Sequence, residues 1–92
     1  MKGFVYILRC LRSNTFYIGS TRDLKRRLYE HKIGSVKATK YFRPIKLELS
    51  QKYDNMYQAR TIERRLKRFK RKDYIERIIK EKVIKMGLRR SD

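Results

Sequence analysis

This chain is short of the residues that usually announce a site. It has one cysteine, Cys10, and one histidine, His31. An intrachain disulfide is therefore impossible, and a zinc site built from Cys and His is excluded by ligand count. No apolar run approaches the roughly 18 residues of a membrane span. The start, Met1-Lys2-Gly3-Phe4-Val5-Tyr6, enters a strand pattern directly and lacks the apolar region of a signal peptide. The four glycines and the lone Pro44 are scattered, so there is no glycine-rich phosphate loop, no linker and no low-complexity tract. Acidic side chains are scarce: 9 Asp and Glu stand against 27 Lys and Arg.

What is present follows from that imbalance. A formal charge of +18 on 92 residues repels itself in the compact state and calls for a polyanion. Nucleic acid is the first reading, because phosphate neutralisation supplies most non-specific affinity. An anionic membrane surface is weaker, since the apolar residues follow a core pattern and are not gathered on one amphipathic stretch. The expectation is an intracellular chain associated with nucleic acid in the cytoplasm.

The length suits one domain, expected over 1–87, with 88–92 as a frayed basic tail. Residues 4–9 are aromatic or β-branched and read as a strand. Residues 10–14 read as a turn and 15–20 as a second strand, the two pairing as an antiparallel hairpin. With an even number of turn residues, Tyr6 and Tyr17 share a face; an odd number separates them. A helix follows, with Thr21 or Asp23 to cap it and Gly34 to end it. Leu24 and Leu28 set its apolar stripe. Arg27 and His31 fall beside that stripe, and Arg26 points away. Residues 34–44 form a basic loop carrying Lys37, Lys40, Tyr41 and Arg43. Residues 45–49 alternate as a half-buried third strand. Asp54 or Asn55 caps a helix with stripe Met56, Ala59, Ile62, Leu66 and Phe69. Asp73 caps a last helix with stripe Ile75, Ile78, Ile79, Val83 and Met86. The order β-β-α-β-α-α predicts an α+β fold, a small antiparallel sheet flanked by helices.

Glu63 lies within the apolar stripe of its helix, where an unpaired charge is costly. It either pairs with Lys67 one turn on, or serves as the ligand of a hard cation such as Mg²⁺, with water and substrate phosphate completing the shell. Arg27, on the inward edge of its helix, suits a planar fork donating to a phosphate as charge builds. Tyr6 and Tyr17 have ordinary phenol values near 10, too high for a base at neutral pH. Surrounding positive charge is expected to lower them. His31 could shuttle a proton or hold a tyrosine. Cys10 reads as a small, semi-buried strand-end residue.

Four segments in order carry a family likeness: Val5-Tyr6-Ile7-Leu8; Tyr17-Ile18-Gly19-Ser20-Thr21; Asp23-Leu24-Lys25-Arg26-Arg27-Leu28 with His31; and Ala59-Arg60-Thr61-Ile62-Glu63. Lys40-Tyr41 ahead of Pro44 adds a connecting loop. Together they resemble the GIY-YIG nuclease domain in its small single-domain bacterial form, similar to the N-terminal domain of excinuclease C. Phe4-Val5-Tyr6 replaces Gly-Ile-Tyr in the first motif, and no asparagine follows Glu63. The resemblance implies a three-stranded antiparallel sheet between helices and divalent-metal-dependent hydrolysis of DNA. It implies catalytic roles for Tyr6, Tyr17, Arg27 and His31, and Mg²⁺ or Mn²⁺ held by Glu63. Lys37, Lys40, Tyr41, Arg43, Arg64 and Lys67 would track the nucleic-acid backbone. The partner is DNA, branched or flapped, with a second copy or a targeting protein as further candidates. The alternative is a module that binds nucleic acid without cutting it, with Tyr41 or Tyr57 stacking on bases.

Overall fold

The computed structural model describes residues 2–69 and 71–85. Strand β1 (Gly3–Cys10) and strand β2 (Thr15–Thr21) form the expected hairpin. β1 runs one residue further than its apolar pattern implies, because Cys10 still pairs with Thr15. The turn is therefore 11–14, an even count, and the alternation carries through it. Tyr6 pairs with Gly19 and Leu8 with Tyr17, so the two tyrosines stand on one face of the sheet.

Helix α1 (Leu24–Ile33) starts at Asp23, whose Oδ1 accepts from the Arg26 N–H at 3.0 Å. It ends at Gly34, whose φ of 85° is the left-handed cap that glycine adopts without Cβ strain. The connection to the third strand holds a single 3₁₀ turn at Lys40–Phe42. Arg43 braces this loop, donating to the carbonyls of Lys40 and Lys32. Strand β3 (Ile45–Tyr53) is longer than the apolar alternation implies. It pairs antiparallel with β1 and carries an irregularity opposite Ile7 and Leu8. The sheet order is β2-β1-β3, which leaves β2 at an edge.

Helix α2 (Met56–Phe69) is capped by Asn55, whose side chain accepts from the Gln58 N–H at 2.9 Å. Met56, Ala59, Ile62 and Leu66 are buried as their spacing predicts. Phe69 departs from the stripe: it is about half exposed and packs against Tyr74, with ring centres 5.8 Å apart. Helix α3 (Lys72–Glu81) begins two residues earlier than expected. Arg71 takes the cap position, and Asp73 lies in the first turn, accepting from the Tyr74 N–H. Ile75 and Ile78 are buried, Ile79 and Val83 partly so. Ile84, beyond the helix end, completes the core. Met86 and the expected tail at 88–92 lie outside the described residues.

The two sheet faces divide the molecule. Val5, Ile7 and Ile18 point to the face covered by α2 and α3 and form one aliphatic core with Ile62, Leu66, Ile75 and Ile78. Tyr6, Leu8 and Tyr17 point the other way, toward α1. Cys10 is buried, and its thiol donates to the Phe42 carbonyl. No helix of the described residues is long and apolar enough to cross a membrane.

Candidate active site

The face toward α1 holds a buried polar line. Tyr6 Oη lies 2.9 Å from His31 Nε2, and His31 Nδ1 lies 2.7 Å from Thr39 Oγ1. All three residues are almost sealed from water, at 1%, 0% and 2% exposure. His31 is therefore an interior residue, where a lone histidine beside a helix stripe reads more simply as a surface group. Tyr6 and Tyr17 ring centres are 6.4 Å apart, and His31 packs edge-on against both.

Gly19 makes this arrangement possible. A Cβ built there would stand 2.5 Å from the Tyr6 hydroxyl, so only glycine lets the phenol cross the neighbouring strand. The sequence marks this residue only as part of a motif; the register explains it.

Arg27 and Arg26 separate as the helical geometry predicts. The Arg26 side chain is 76% exposed and that of Arg27 is 40% exposed. Arg27 donates to Glu30 at 3.1 Å, and its charge acts on the Tyr6 phenol. Glu30 first, then Tyr6, holds its charge in place.

The electrostatics correct one expectation. Burial pushes the Tyr6 phenol up to about 12; Arg27 pulls the other way and loses. Desolvation outweighs a single cation at this depth. The His31 imidazole is shifted down, by burial first and then by Arg27, so it is neutral at physiological pH. Tyr6 is thus a neutral, buried hydrogen-bonding phenol. Tyr17, on the edge strand, is half-buried and is the phenol that meets solvent.

Glu63 reaches the same edge from the opposite layer. Its carboxylate accepts from the Ser20 hydroxyl and pairs with Lys67 Nζ at 2.6 Å. Lys67 in turn sits 6.0 Å above the Tyr17 ring. Arg27 lines an adjoining hollow with Ser20, Arg22 and Arg60, so Ser20 stands between Arg27 on one side and Glu63 on the other. Glu63 also lines a solvent-facing cleft of about 750 Å³, together with Arg22, Tyr57, Arg60 and Arg64. Ser20 was not a candidate on sequence, since one hydroxyl in a motif carries no signal of its partner.

A single hard cation fits this donor set. One carboxylate, paired with a lysine ammonium, opens onto a cleft with room for water and phosphate. Among the described residues no group of three or more Asp, Glu, His or Cys is gathered, so a cage made wholly of protein ligands does not fit.

The expected nucleic-acid contacts divide into two sets. Arg64 lines the cleft beside Glu63, and Lys67 touches Glu63 itself. Lys37, Lys40 and Tyr41 are exposed on the loop after α1, with Tyr41 79% exposed. Arg43 is exposed too, with its guanidinium engaged by the loop's own carbonyls.

Comparison with known proteins agrees with the geometry. The model of the GIY-YIG catalytic domain matches residues 2–82. A UPF0213 protein of Streptococcus pneumoniae is 41% identical over 73 residues, spanning 76% of this chain and 71% of its own length. One from Staphylococcus saprophyticus is 30% identical over 78 residues, spanning 84% and 94%. The solution NMR structure of the UPF0213 protein BH0048 from Bacillus halodurans superposes with a TM-score of 0.58 at 29% identity, covering 89% of this chain and 86% of that one. With the motif tyrosines on one face and the domain model spanning nearly every element, this chain belongs to the GIY-YIG family, in its UPF0213 branch.

Proposed function

We propose that this chain is a metal-dependent endonuclease that hydrolyses DNA phosphodiester bonds, with a preference for branched, flapped or nicked structures. The observation that supports the reading is that Ser20 and Lys67 tie Glu63 of α2 to strand β2 beside Tyr17, while Arg27 of α1 shares a hollow with Ser20.

In this reading the scissile phosphate sits over the β2 edge. Tyr17, the phenol open to solvent, orients the attacking water. Arg27 donates its fork to the phosphate as negative charge builds. Glu63 is the residue that would hold Mg²⁺ or Mn²⁺, an ion that neutralises phosphate charge and helps the leaving oxygen depart. On binding DNA, Lys67 exchanges Glu63 for a phosphate oxygen. Arg60 and Arg64 extend the positive track along the cleft, with Tyr57 beside them. One copy makes one nick, and a paired cut calls for a second copy or a targeting partner. The substrate places the protein with DNA inside the cell.

A second reading has one observation behind it. Lys67 already satisfies Glu63 without any metal, as it would in a module that only binds nucleic acid. A panel of single-stranded, duplex, nicked, flapped and branched DNA, incubated with Mg²⁺ or Mn²⁺ and with chelator, separates the two. A nuclease cuts at least one substrate and stops when the metal is removed. Steeply salt-dependent binding with no metal-dependent cutting, by protein shown to be folded, leaves only the binding module.

A further inference from the structure

Thr39 belongs to no motif of the chain, yet it is the deepest polar residue of the loop after α1. Its hydroxyl meets His31 Nδ1 at 2.7 Å, and the other ring nitrogen meets Tyr6 at 2.9 Å. The Tyr6 oxygen also interacts with Arg27, whose guanidinium has donors only. The phenol therefore turns its lone pairs toward that cation and its own proton away from it. At this depth there is no solvent to take it, and His31 Nε2 is the acceptor within reach. A neutral imidazole has one N–H. With Nε2 accepting, the proton is on Nδ1, and Thr39 Oγ1 is the acceptor that holds it there. In keeping with this, no buried side-chain nitrogen or oxygen of the described residues lacks a partner.

We propose that Thr39 is a positioning residue, which fixes the Nδ1–H tautomer of His31 and so keeps the Tyr6 oxygen free to hold Arg27 in place. The order of action is Thr39, His31, Tyr6, Arg27. Only Arg27 touches the phosphate. His31 and Tyr6 orient and do not exchange protons with the substrate, consistent with a phenol this deeply buried. Five groups face the His31 ring or act on it: Tyr6, Tyr17, Thr39, Arg27 and Glu30. None is an unpaired carboxylate able to do the task of Thr39, since Glu30 is engaged by Arg26 and Arg27. The consequence for the loop is specific. The segment that carries Lys37, Lys40 and Tyr41 is pinned at its centre to the site, so it is more than a basic tether. The inference rests on the nuclease reading for its effect on cutting, but the tautomer itself does not.

The chain has a single histidine, so its ring nitrogens can be read without assignment work. Ring ¹⁵N spectra of the free, metal-free protein above pH 7 are expected to show Nδ1 protonated and Nε2 bare. Thr39→Val, close in shape but without the hydroxyl, is expected to move the proton to Nε2 or mix the two forms. Thr39→Ser is expected to restore the original pattern. With flapped DNA and Mg²⁺, Thr39→Val is expected to cut about 10-fold to 100-fold more slowly, with DNA affinity unchanged and the rate recovered in Thr39→Ser. Nδ1 bare in the original protein, or Thr39→Val cutting at full speed, overturns the assignment. Should Thr39→Val fail to fold, the original protein and Thr39→Ser decide the tautomer between them. A protein that shows the Nδ1–H pattern yet cuts no DNA overturns the nuclease reading and leaves the Thr39 tautomer assignment standing.

Discussion

The two faces of the sheet are built by alternate residues of the same strands, and they do opposite things. Toward α2 and α3, Val5, Ile7 and Ile18 join an apolar cluster with Met56, Ile62 and Leu66, edged by partly buried residues such as Leu49 and Tyr53. Toward α1, Tyr6 and Tyr17 meet His31, with Thr39 and Arg27 close behind. The first face stabilises by area removed from water, which is non-directional and tolerant of shape. The second stabilises little for its size, because each hydrogen bond replaces one to water. What it provides is direction: each polar group is held to defined partners in one orientation. The edge strand β2 joins the faces, and Glu63 reaches the site from the apolar side by way of Ser20. Residues that fold the domain and residues of the proposed site are thus one position apart along β1 and β2.

The contrast predicts which variants lose which property. The largest effect falls on the apolar face. Ile62→Ala empties the centre of the core and is expected to cost about 2–5 kcal/mol of stability, read from denaturant melts. Cleavage per folded molecule should be unchanged, and a parallel loss of specific activity would break the division between faces. Next is Arg27→Ala on the polar face. Cleavage is expected to fall by about 10²–10³, while the unfolding free energy changes by less than about 1 kcal/mol. A collapse in stability with activity retained would reverse the assignment of the faces.

Gly19→Ala tests the boundary between them, since its methyl would meet the Tyr6 hydroxyl at 2.5 Å. A cost of about 1–3 kcal/mol is expected, with the phenol displaced from His31 and cutting slowed at unchanged DNA affinity. A fully active, fully stable variant would show that the strand crossing is unimportant.

The smallest effect is a pH slope. The His31 value is lower folded than unfolded, so the unfolded chain binds more protons below its ordinary value near 6.5. Its stabilising contribution is complete above that pH and is lost as pH falls toward the depressed folded value. The slope cannot exceed about 1.4 kcal/mol per pH unit for one proton. Melts between pH 7 and 5 should show it, and His31→Asn should flatten it. An equal slope in both proteins would remove His31 from the account.

Much of this arrangement was legible in the residues because it follows from period. Alternation places Tyr6 with Tyr17 once the turn count is even, and 3.6 residues per turn separates Arg27 from Arg26. Asp23 and Gly34 mark their helix ends by side-chain chemistry. The features that were not legible depend on a partner brought from elsewhere in the fold. Thr39 reads as one more residue of a basic loop, and only folding the loop back under α1 brings its hydroxyl to His31. The depth of Tyr6 likewise comes from packing, which is why its phenol moves up where charge alone predicts down. Ile84 joins the core from beyond its helix, where no helical spacing applies. Phe69 keeps the spacing but packs on Tyr74 and stays about half exposed.

The central claim is that Glu63 belongs to a hydrolytic site and is more than the partner of Lys67. Glu63→Gln keeps the shape and the Ser20 contact and removes the charge. Its DNA affinity by fluorescence anisotropy and its single-turnover cutting of flapped DNA with Mg²⁺ should be measured on the same preparation. The account predicts affinity retained or tightened, and cutting lost to background. Cutting that persists at the original rate in the glutamine variant would contradict it.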